Sequence, residues 1–221
     1  MLSASGRFAS LFICVIAAFG DAYAARPFFT DDARIVEQGH CQLETFYKEQ
    51  RAYSGSEFWF LPACNPAFAP FQSGVELTLG RNRIEDERNT IAQAKFLLKR
   101  LETNTSGYAL SIGSFGGDPY VNGIASFSFL DDRAVVHSNL GMIRNADADR
   151  GTWGLGLEAL LHEPRWYGMA EIFGQRGDTP TLHVGLRFWV IPNHFQIDAT
   201  QGHQSASPDR RFYSVGLRFI F

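Results

Sequence analysis

In several short segments of this sequence, apolar residues occupy every second position, and the positions between them include charged residues. In Thr181 to Ile191, for example, His183 and Arg187 alternate with leucine, valine and phenylalanine. Such side chains share one face if the segment is a β-strand. In a closed sheet that face is the interior, where acids and bases can pair or form a polar path for a small solute. The charged residues of this predicted lumen are Glu44, Lys48, Glu76, Lys95, Glu158, Glu171, Arg187, Asp198 and Arg218.

These charges allow two interpretations, which the sequence leaves open. Five of them are acidic and four are basic, so they could pair across the interior and simply fill it. An unpaired buried charge costs several kcal/mol, which favours such pairing. They could also line a narrow path or a constriction that selects a solute. We predict that they define a solute path through a narrow charged lumen, together with His137.

The sequence His137-Ser138-Asn139 contains the residue types of a hydrolase, in which a histidine activates a serine. Adjacent strand residues point to opposite faces, so His137 and Ser138 cannot form a hydrogen bond within one strand. We therefore predict no catalytic residue and no enzyme. Asp31 and Asp32 could bind a hard cation, but two acids without further spaced oxygen ligands are typical of a solvated turn. No metal site and no cofactor are expected.

The segments that carry these residues alternate in hydrophobicity with a period of two, which indicates β-strands. The last one, Phe212 to Phe221, has apolar residues on one face and Ser214, Gly216 and Arg218 on the other. It resembles the closing strand of bacterial outer-membrane barrels, which ends on an aromatic residue. About twelve such segments follow from Cys41 onwards, an even number as bacterial barrels have. The predicted fold class is an all-β, transmembrane antiparallel β-barrel of about twelve strands, and a soluble β-sandwich is the alternative.

Residues 1–24 have the features of a secretory signal peptide, which is cleaved from the mature chain. Residues 8–19 are apolar but too short to cross a bilayer, and Ala22-Tyr23-Ala24 fits a cleavage site. We predict a periplasmic lead-in segment at residues 25–40 and a barrel at residues 41–221. The formal net charge of -3, without any basic run, excludes a nucleic-acid partner.

Beyond Phe129 the predicted connections alternate between short ones, such as residues 192–193, and longer ones, such as residues 176–180. Transmembrane barrels have short turns on the periplasmic side and longer loops outside. Followed back along the chain, this alternation places Cys41 and Cys64 at the periplasmic ends of neighbouring strands. In an oxidising compartment this pair is predicted to form a disulfide.

Five stretches of the mature chain carry a resemblance: Ala25–Glu44, Pro62–Pro66, Val75–Gly80, Phe195–Ala199 and Ser214–Phe221. They are similar to a family of bacterial envelope proteins described as related to the meta-cleavage pathway of phenol degradation. The resemblance implies a location in the bacterial outer membrane. The description of that family also implies the passage of aromatic compounds.

We therefore expect an outer-membrane channel or transporter that passes or binds a small solute, and the resemblance implies an aromatic or hydrophobic one. The expected partners are outer-membrane lipid, the solute, and the machinery that assembles barrels through the closing strand ending at Phe221. One alternative is a structural envelope barrel that conducts nothing. A third hypothesis, from another class, is a barrel enzyme that modifies lipids and depends on His137. Conductance separates the first two, and lipid hydrolysis would identify the third.

Overall fold

A computed structural model gives the fold of residues 28–50, 55–67, 74–145, 148–205 and 207–221. The predicted signal peptide lies outside these described residues. The chain forms antiparallel strands in sequence order, and the last pairs with the first to close a barrel. The strands are β1 (Cys41–Gln50), β2 (Ser56–Cys64), β3 (Val75–Ile84), β4 (Glu87–Lys99), β5 (Ser106–Phe115), β6 (Asp118–Phe129), β7 (Ala134–Arg144), β8 (Asp149–His162), β9 (Trp166–Gln175), β10 (Thr181–Ile191), β11 (Phe195–Gln204) and β12 (Ser207–Ile220). The described residues include no helix that is long and apolar enough to cross a membrane.

The alternating residues give the sheet one face towards lipid and one face towards the lumen. In β10, Leu182, Val184 and Leu186 are exposed on the outside, whereas His183 and Arg187 are buried inside. Large apolar side chains are exposed in the same way on the other strands. A closed sheet pairs its backbone groups without water and can therefore span lipid. The protein is a closed antiparallel β-barrel of twelve strands with an apolar outer face, as the sequence predicts, and not a β-sandwich.

The two chain ends of the barrel meet at one rim, which we call the terminal end; the opposite rim is the far end. The backbone groups of Cys41 and Phe221 bind each other there, with N–O distances of 2.8 and 2.9 Å. Cys41 lies directly opposite Cys64 in the register of β1 and β2, and the two form a disulfide. This confirms the predicted pairing.

Two of the three predicted long connections at the far end are shorter than expected, because the strands extend further than the alternation shows, whereas the third keeps its predicted bounds of residues 176–180. β8 begins at Asp149 and β12 at Ser207, so the expected long loops shrink to residues 145–148 and 205–206. At the terminal end, the connection between β10 and β11 comprises residues 192–194. Loop length therefore does not tell the two ends apart. The assignment of the terminal end to the periplasm stays a prediction.

Residues 28–36, which we call the plug, run inside the barrel. Phe28, Ala33 and Val36 of the plug are buried. The plug belongs to the predicted lead-in segment, residues 25–40, whose described part lies within the lumen before the chain enters β1 at Cys41. The assignment of this segment to the periplasm stays a prediction. A segment without regular secondary structure can be buried when its backbone groups find partners, and the polar lumen supplies them.

Candidate functional site

The predicted lumen residues lie inside the barrel. Lys48 keeps a small exposed fraction, and the other eight charged residues and His137 are at least nine-tenths buried. Their contacts divide them into a network within the wall around Arg187, the residues that hold the plug, and Lys48, which pairs with Glu57 on the neighbouring strand.

Arg187 lies at the centre of the network within the wall. Its Nε donates a hydrogen bond to Asp198 Oδ1 at 2.9 Å, and its Nη1 donates to Glu158 Oε1 at 2.6 Å. Gln196 Nε2 donates to Asp198 Oδ2 at 3.0 Å. All four side chains are at most 1% exposed. The planar guanidinium matches two carboxylates at once, so this part of the lumen is a fixed, paired interior.

Lys95 joins the wall to the plug through two ion pairs. Its Nζ lies 2.8 Å from Asp31 Oδ1 and 3.3 Å from Asp32 Oδ1. These are the two acids that the sequence offered for a cation, and a wall lysine occupies that place. The described residues contain no group of three or more His, Cys, Asp or Glu that could hold a metal. The charges at this level therefore bind the plug to the wall.

Glu76, on the strand next to Lys95, binds the plug where it enters the lumen. The Val36 amide donates to Glu76 Oε2 at 3.0 Å, and Gln42 Nε2 donates to the same oxygen at 3.1 Å. Arg218 Nε donates in turn to Gln42 Oε1 at 2.7 Å and lies 3.5 Å from Glu44 Oε1. The predicted charges of β1, β3 and β12 thus form one chain that ends on the plug backbone.

Glu171 caps the other end of the plug. Its Oε1 accepts from the Phe29 amide at 3.0 Å, and its Oε2 accepts from the Thr30 amide at 2.8 Å. His183 Nδ1 lies 2.7 Å from Glu171 Oε1, and His183 Nε2 lies 2.6 Å from Thr200 Oγ1. Charge-assisted bonds to backbone amides are among the stronger hydrogen bonds in proteins. Glu171 therefore holds the plug with both of its oxygens, while His183 orients it.

Two neutral side chains bind the middle of the plug. Asn139 accepts from the Asp31 amide at 2.6 Å and donates to the Asp31 carbonyl at 2.8 Å. Ser126 Oγ accepts from the Ala33 amide at 2.9 Å and lies 2.8 Å from His137 Nδ1. The backbone of the plug is therefore paired with lumen-facing side chains of several strands.

Ser126, His137 and Glu158 have the order of a nucleophile, a base and an acid. His137 Nε2 lies 4.0 Å from Glu158 Oε1. All three are at most 1% exposed, and Ser126 Oγ is already bound to the amide of Ala33. A substrate has no access to this serine while the plug is in place. The three residues come from the neighbouring strands β6, β7 and β8, whereas His137 and Ser138 lie on one strand and point to opposite faces.

Two glycines of β8 make room for the plug. A Cβ at Gly154 would lie 2.6 Å from Thr30 Oγ1, and one at Gly156 would lie 3.5 Å from Phe28 and from Thr30. Nothing larger than glycine fits at residue 154 while Thr30 keeps its place. The wall and the plug are therefore shaped to each other.

Above the plug, at the far end, lies a cavity of about 400 Å³ that we call the vestibule. Its lining includes Phe29, Asn122, Thr152, Phe173, Gln175 and Thr181. Phe29 of the plug stacks on Phe173, with ring centroids 4.5 Å apart and planes at 22°. A second cavity of about 180 Å³ continues from it, past Phe29 and Thr152, to Trp59 and Phe115. The sequence analysis did not identify the neutral residues of the vestibule as site residues, because it recognised the lumen face mainly by its charged residues.

Beside the plug the remaining space is small. A cavity of about 40 Å³ lies between the plug and the wall, next to Asp32, Glu76 and Arg218. It has room for a few water molecules at most. A solute that enters the vestibule therefore meets the plug as its floor.

The fold is similar to solved outer-membrane porins. NanC porin aligns with a TM-score of 0.63 at 8% identity, and KdgM porin with a TM-score of 0.60 at 14% identity. Each alignment covers 80% of this chain and 98% of the porin chain. Omp33 of Acinetobacter baumannii aligns with a TM-score of 0.54 at 8% identity, covering 82% of this chain and 98% of that chain. At these identities the likeness shows the fold alone.

No curated protein matches this chain. The comparisons give no link to the meta-cleavage pathway of phenol degradation, so that association stays a prediction. A family profile, in contrast, matches residues 13–221. The chain belongs to the family that is described as Uncharacterised conserved protein UCP029691.

Proposed function

We propose that the protein passes a small solute across the outer membrane, through the vestibule and then through the lumen when the plug has left it. One observation carries this proposal: the occupant of the lumen is a segment near the start of the chain, held by hydrogen bonds and ion pairs. The far end would face the exterior and the terminal end the periplasm. The lumen charges would then line the solute path.

The width of the barrel supports this proposal. Barrels of about eight strands are filled by their own side chains, whereas those of about sixteen leave an aqueous channel. This twelve-stranded barrel has room for a segment of chain besides its side chains. Once that segment leaves, the same space is open to a solute of similar cross-section. A similar barrel, KdgM porin, has been solved in complex with oligogalacturonate.

The aromatic rings of the vestibule favour a solute with an apolar face. Phe29 is 38% exposed although it lies within the barrel, and Phe173 stacks against it. The aromatic compounds that the sequence resemblance implies have such a face. A lipid-modifying enzyme is not proposed, because His137 is buried in the lumen and away from the lipid.

A reversible lock on the plug tests this function. The Ala33 amide donates to Ser126 Oγ at 2.9 Å, so these positions are direct neighbours on the plug and the wall, and a disulfide between cysteines placed there would tie the plug to the wall. Mature Ala33→Cys/Ser126→Cys protein and wild type are refolded and recorded in planar bilayers, oxidised and then reduced. We expect discrete conductance for wild type, loss of conductance for the oxidised variant, and its return on reduction.

The wild type under the same reductant is the control, because reduction also opens the Cys41–Cys64 disulfide. If wild type conducts no current in either state, the barrel is the non-conducting structural alternative. If the oxidised variant conducts like wild type, ions pass without movement of the plug. Either result overturns the proposed path.

A further inference from the structure

We propose that the vestibule is a binding site for a neutral sugar, that is, a solute with many hydroxyl groups and an apolar ring face. This inference deepens the proposed function and rests on it for the biological role of the site. The vestibule lies where β9 ends and β10 begins, so its ligand enters from the far end. Its volume of about 400 Å³ is in the range of small-molecule sites, about 300–1,000 Å³.

The polar side chains of the vestibule offer hydrogen bonds that the protein leaves unused. Thr152, Gln175 and Thr181 make no side-chain hydrogen bond to another described residue. Thr181 is 8% exposed and the other two are half-buried, so water solvates them incompletely. Hydroxyl and amide groups both donate and accept. Their matching ligand groups are hydroxyls, which also do both.

The aromatic floor supplies the second element of a sugar site. Phe29 and Phe173 stack on each other and both line the vestibule, so aromatic carbons form part of its surface beside these polar groups. A pyranose ring has one face made of C–H groups and a rim of hydroxyls. The C–H face fits the aromatic surface and the rim fits the threonine and glutamine side chains.

The charges around the vestibule are matched in pairs, which favours a neutral ligand. Asp178 is the one charged residue among the lining of the vestibule in the described part of the chain, and it lies 3.7 Å from Arg150. Lys48 lies 5.5 Å from the Phe29 ring centroid, but its Nζ is bound to Glu57 Oε1 at 2.6 Å. A charged solute would lose hydration and find these countercharges already occupied. A carboxylated sugar is therefore a poorer ligand than a neutral one.

Ligand-observed NMR on the refolded mature protein tests the site, in a detergent without a sugar headgroup. The probes are methyl α-glucopyranoside, galacturonate and phenol, measured with wild type and with Thr152→Val/Gln175→Leu. Thr45→Val, on the outer face of β1, is the matched control. We expect saturation transfer to the C–H protons of the glucoside, and an affinity about tenfold weaker in the double variant and unchanged in the control.

The outcomes separate this inference from the proposed passage. Galacturonate binding as tightly as the glucoside, phenol binding alone, or equal glucoside affinity in the double variant overturns the sugar site. The same titration on oxidised Ala33→Cys/Ser126→Cys protein isolates binding from plug movement. Glucoside binding in a wild type without conductance supports the site and refutes passage. Conductance without glucoside binding refutes the site alone.

Discussion

Replacement of Lys95 by methionine should release the plug. Lys95 belongs to the wall, and its two ion-pair partners, Asp31 and Asp32, belong to the plug. When the plug is in place, Lys95→Met leaves both acids without this cation in a site where Asp32 is 4% exposed. When the plug has left, water solvates the same acids. The substitution therefore destabilises one of the two states.

The size of the effect follows from burial. Removing one partner of a buried ion pair costs about 3–5 kcal/mol. The side chain of Asp31 is 25% exposed, so water offsets part of the cost and we take about 3 kcal/mol. The attraction between Lys95 and Glu76, which face each other in the register of β3 and β4, is lost in both states and cancels. A change of about 3 kcal/mol raises the ratio of unplugged to plugged protein roughly 100- to 200-fold.

Two measurements report this ratio. The first is the open probability of single channels in planar bilayers. The second is the rate at which a membrane-impermeant maleimide labels Ala33→Cys, since Ala33 is fully buried in the plugged state. The native cysteines form a disulfide and do not compete. Lys99→Met, on the same strand, is the matched control, because Lys99 is exposed and bonds to Ser106 Oγ at the surface.

The reasoning would be refuted if the folded Lys95→Met barrel conducts like wild type and Ala33→Cys/Lys95→Met is labelled no faster than Ala33→Cys alone. Heat-modifiable mobility on a gel establishes that the variant is folded. An equal rise in Lys99→Met would also refute it, because a general effect of lost charge would then explain both results. Neither outcome bears on the wall network around Arg187.

Two further predictions concern the wall. Arg187→Met should lower the free energy of unfolding in urea by about 3–5 kcal/mol, since it leaves two buried carboxylates without their cation, whereas the exposed Arg144→Met should leave it nearly unchanged. Equal effects would contradict the assignment of Arg187 to a buried network. Gly154→Val should raise maleimide labelling of the plug, because even a Cβ there would lie 2.6 Å from Thr30 Oγ1; Gly123→Val, where the nearest atom is 3.6 Å away, is the control and should leave labelling unchanged.

The alternation of residues was enough to predict the barrel and the direction of its side chains. Arg187 and Asp198 were placed on the lumen face from the period of two alone, and the structure adds that they are direct partners across β10 and β11. Such alternation is a local property of each strand, and burial in lipid enforces it. Register and partner choice are not local, so the sequence did not show which charges meet.

The plug could not be predicted by the same means. Its contacts go to Glu171, Asn139 and Ser126 on separate strands, and most of them involve its backbone. Backbone amides are the same in every sequence, so residues 28–36 show no pattern that records these partners. The vestibule was missed for another reason: Thr152 and Gln175 are neutral and resemble loop residues at strand ends.

The polar chemistry of the plug contacts is consistent with the proposed passage of a solute through a lumen that the plug otherwise fills. An occupant held by apolar packing would expose an apolar lumen to water when it left, which is unfavourable. Here the main wall partners of the plug are Glu76, Lys95 and Glu171, which water solvates well once they are vacated. Hydrogen bonds to water replace those to the plug, so the net difference per bond is about 0.5–1.5 kcal/mol, and about 1.5–3 kcal/mol where a charge takes part. In the proposed function the plug is a polar occupant that the lumen exchanges for water and solute, whereas the Arg187 network stays with the wall.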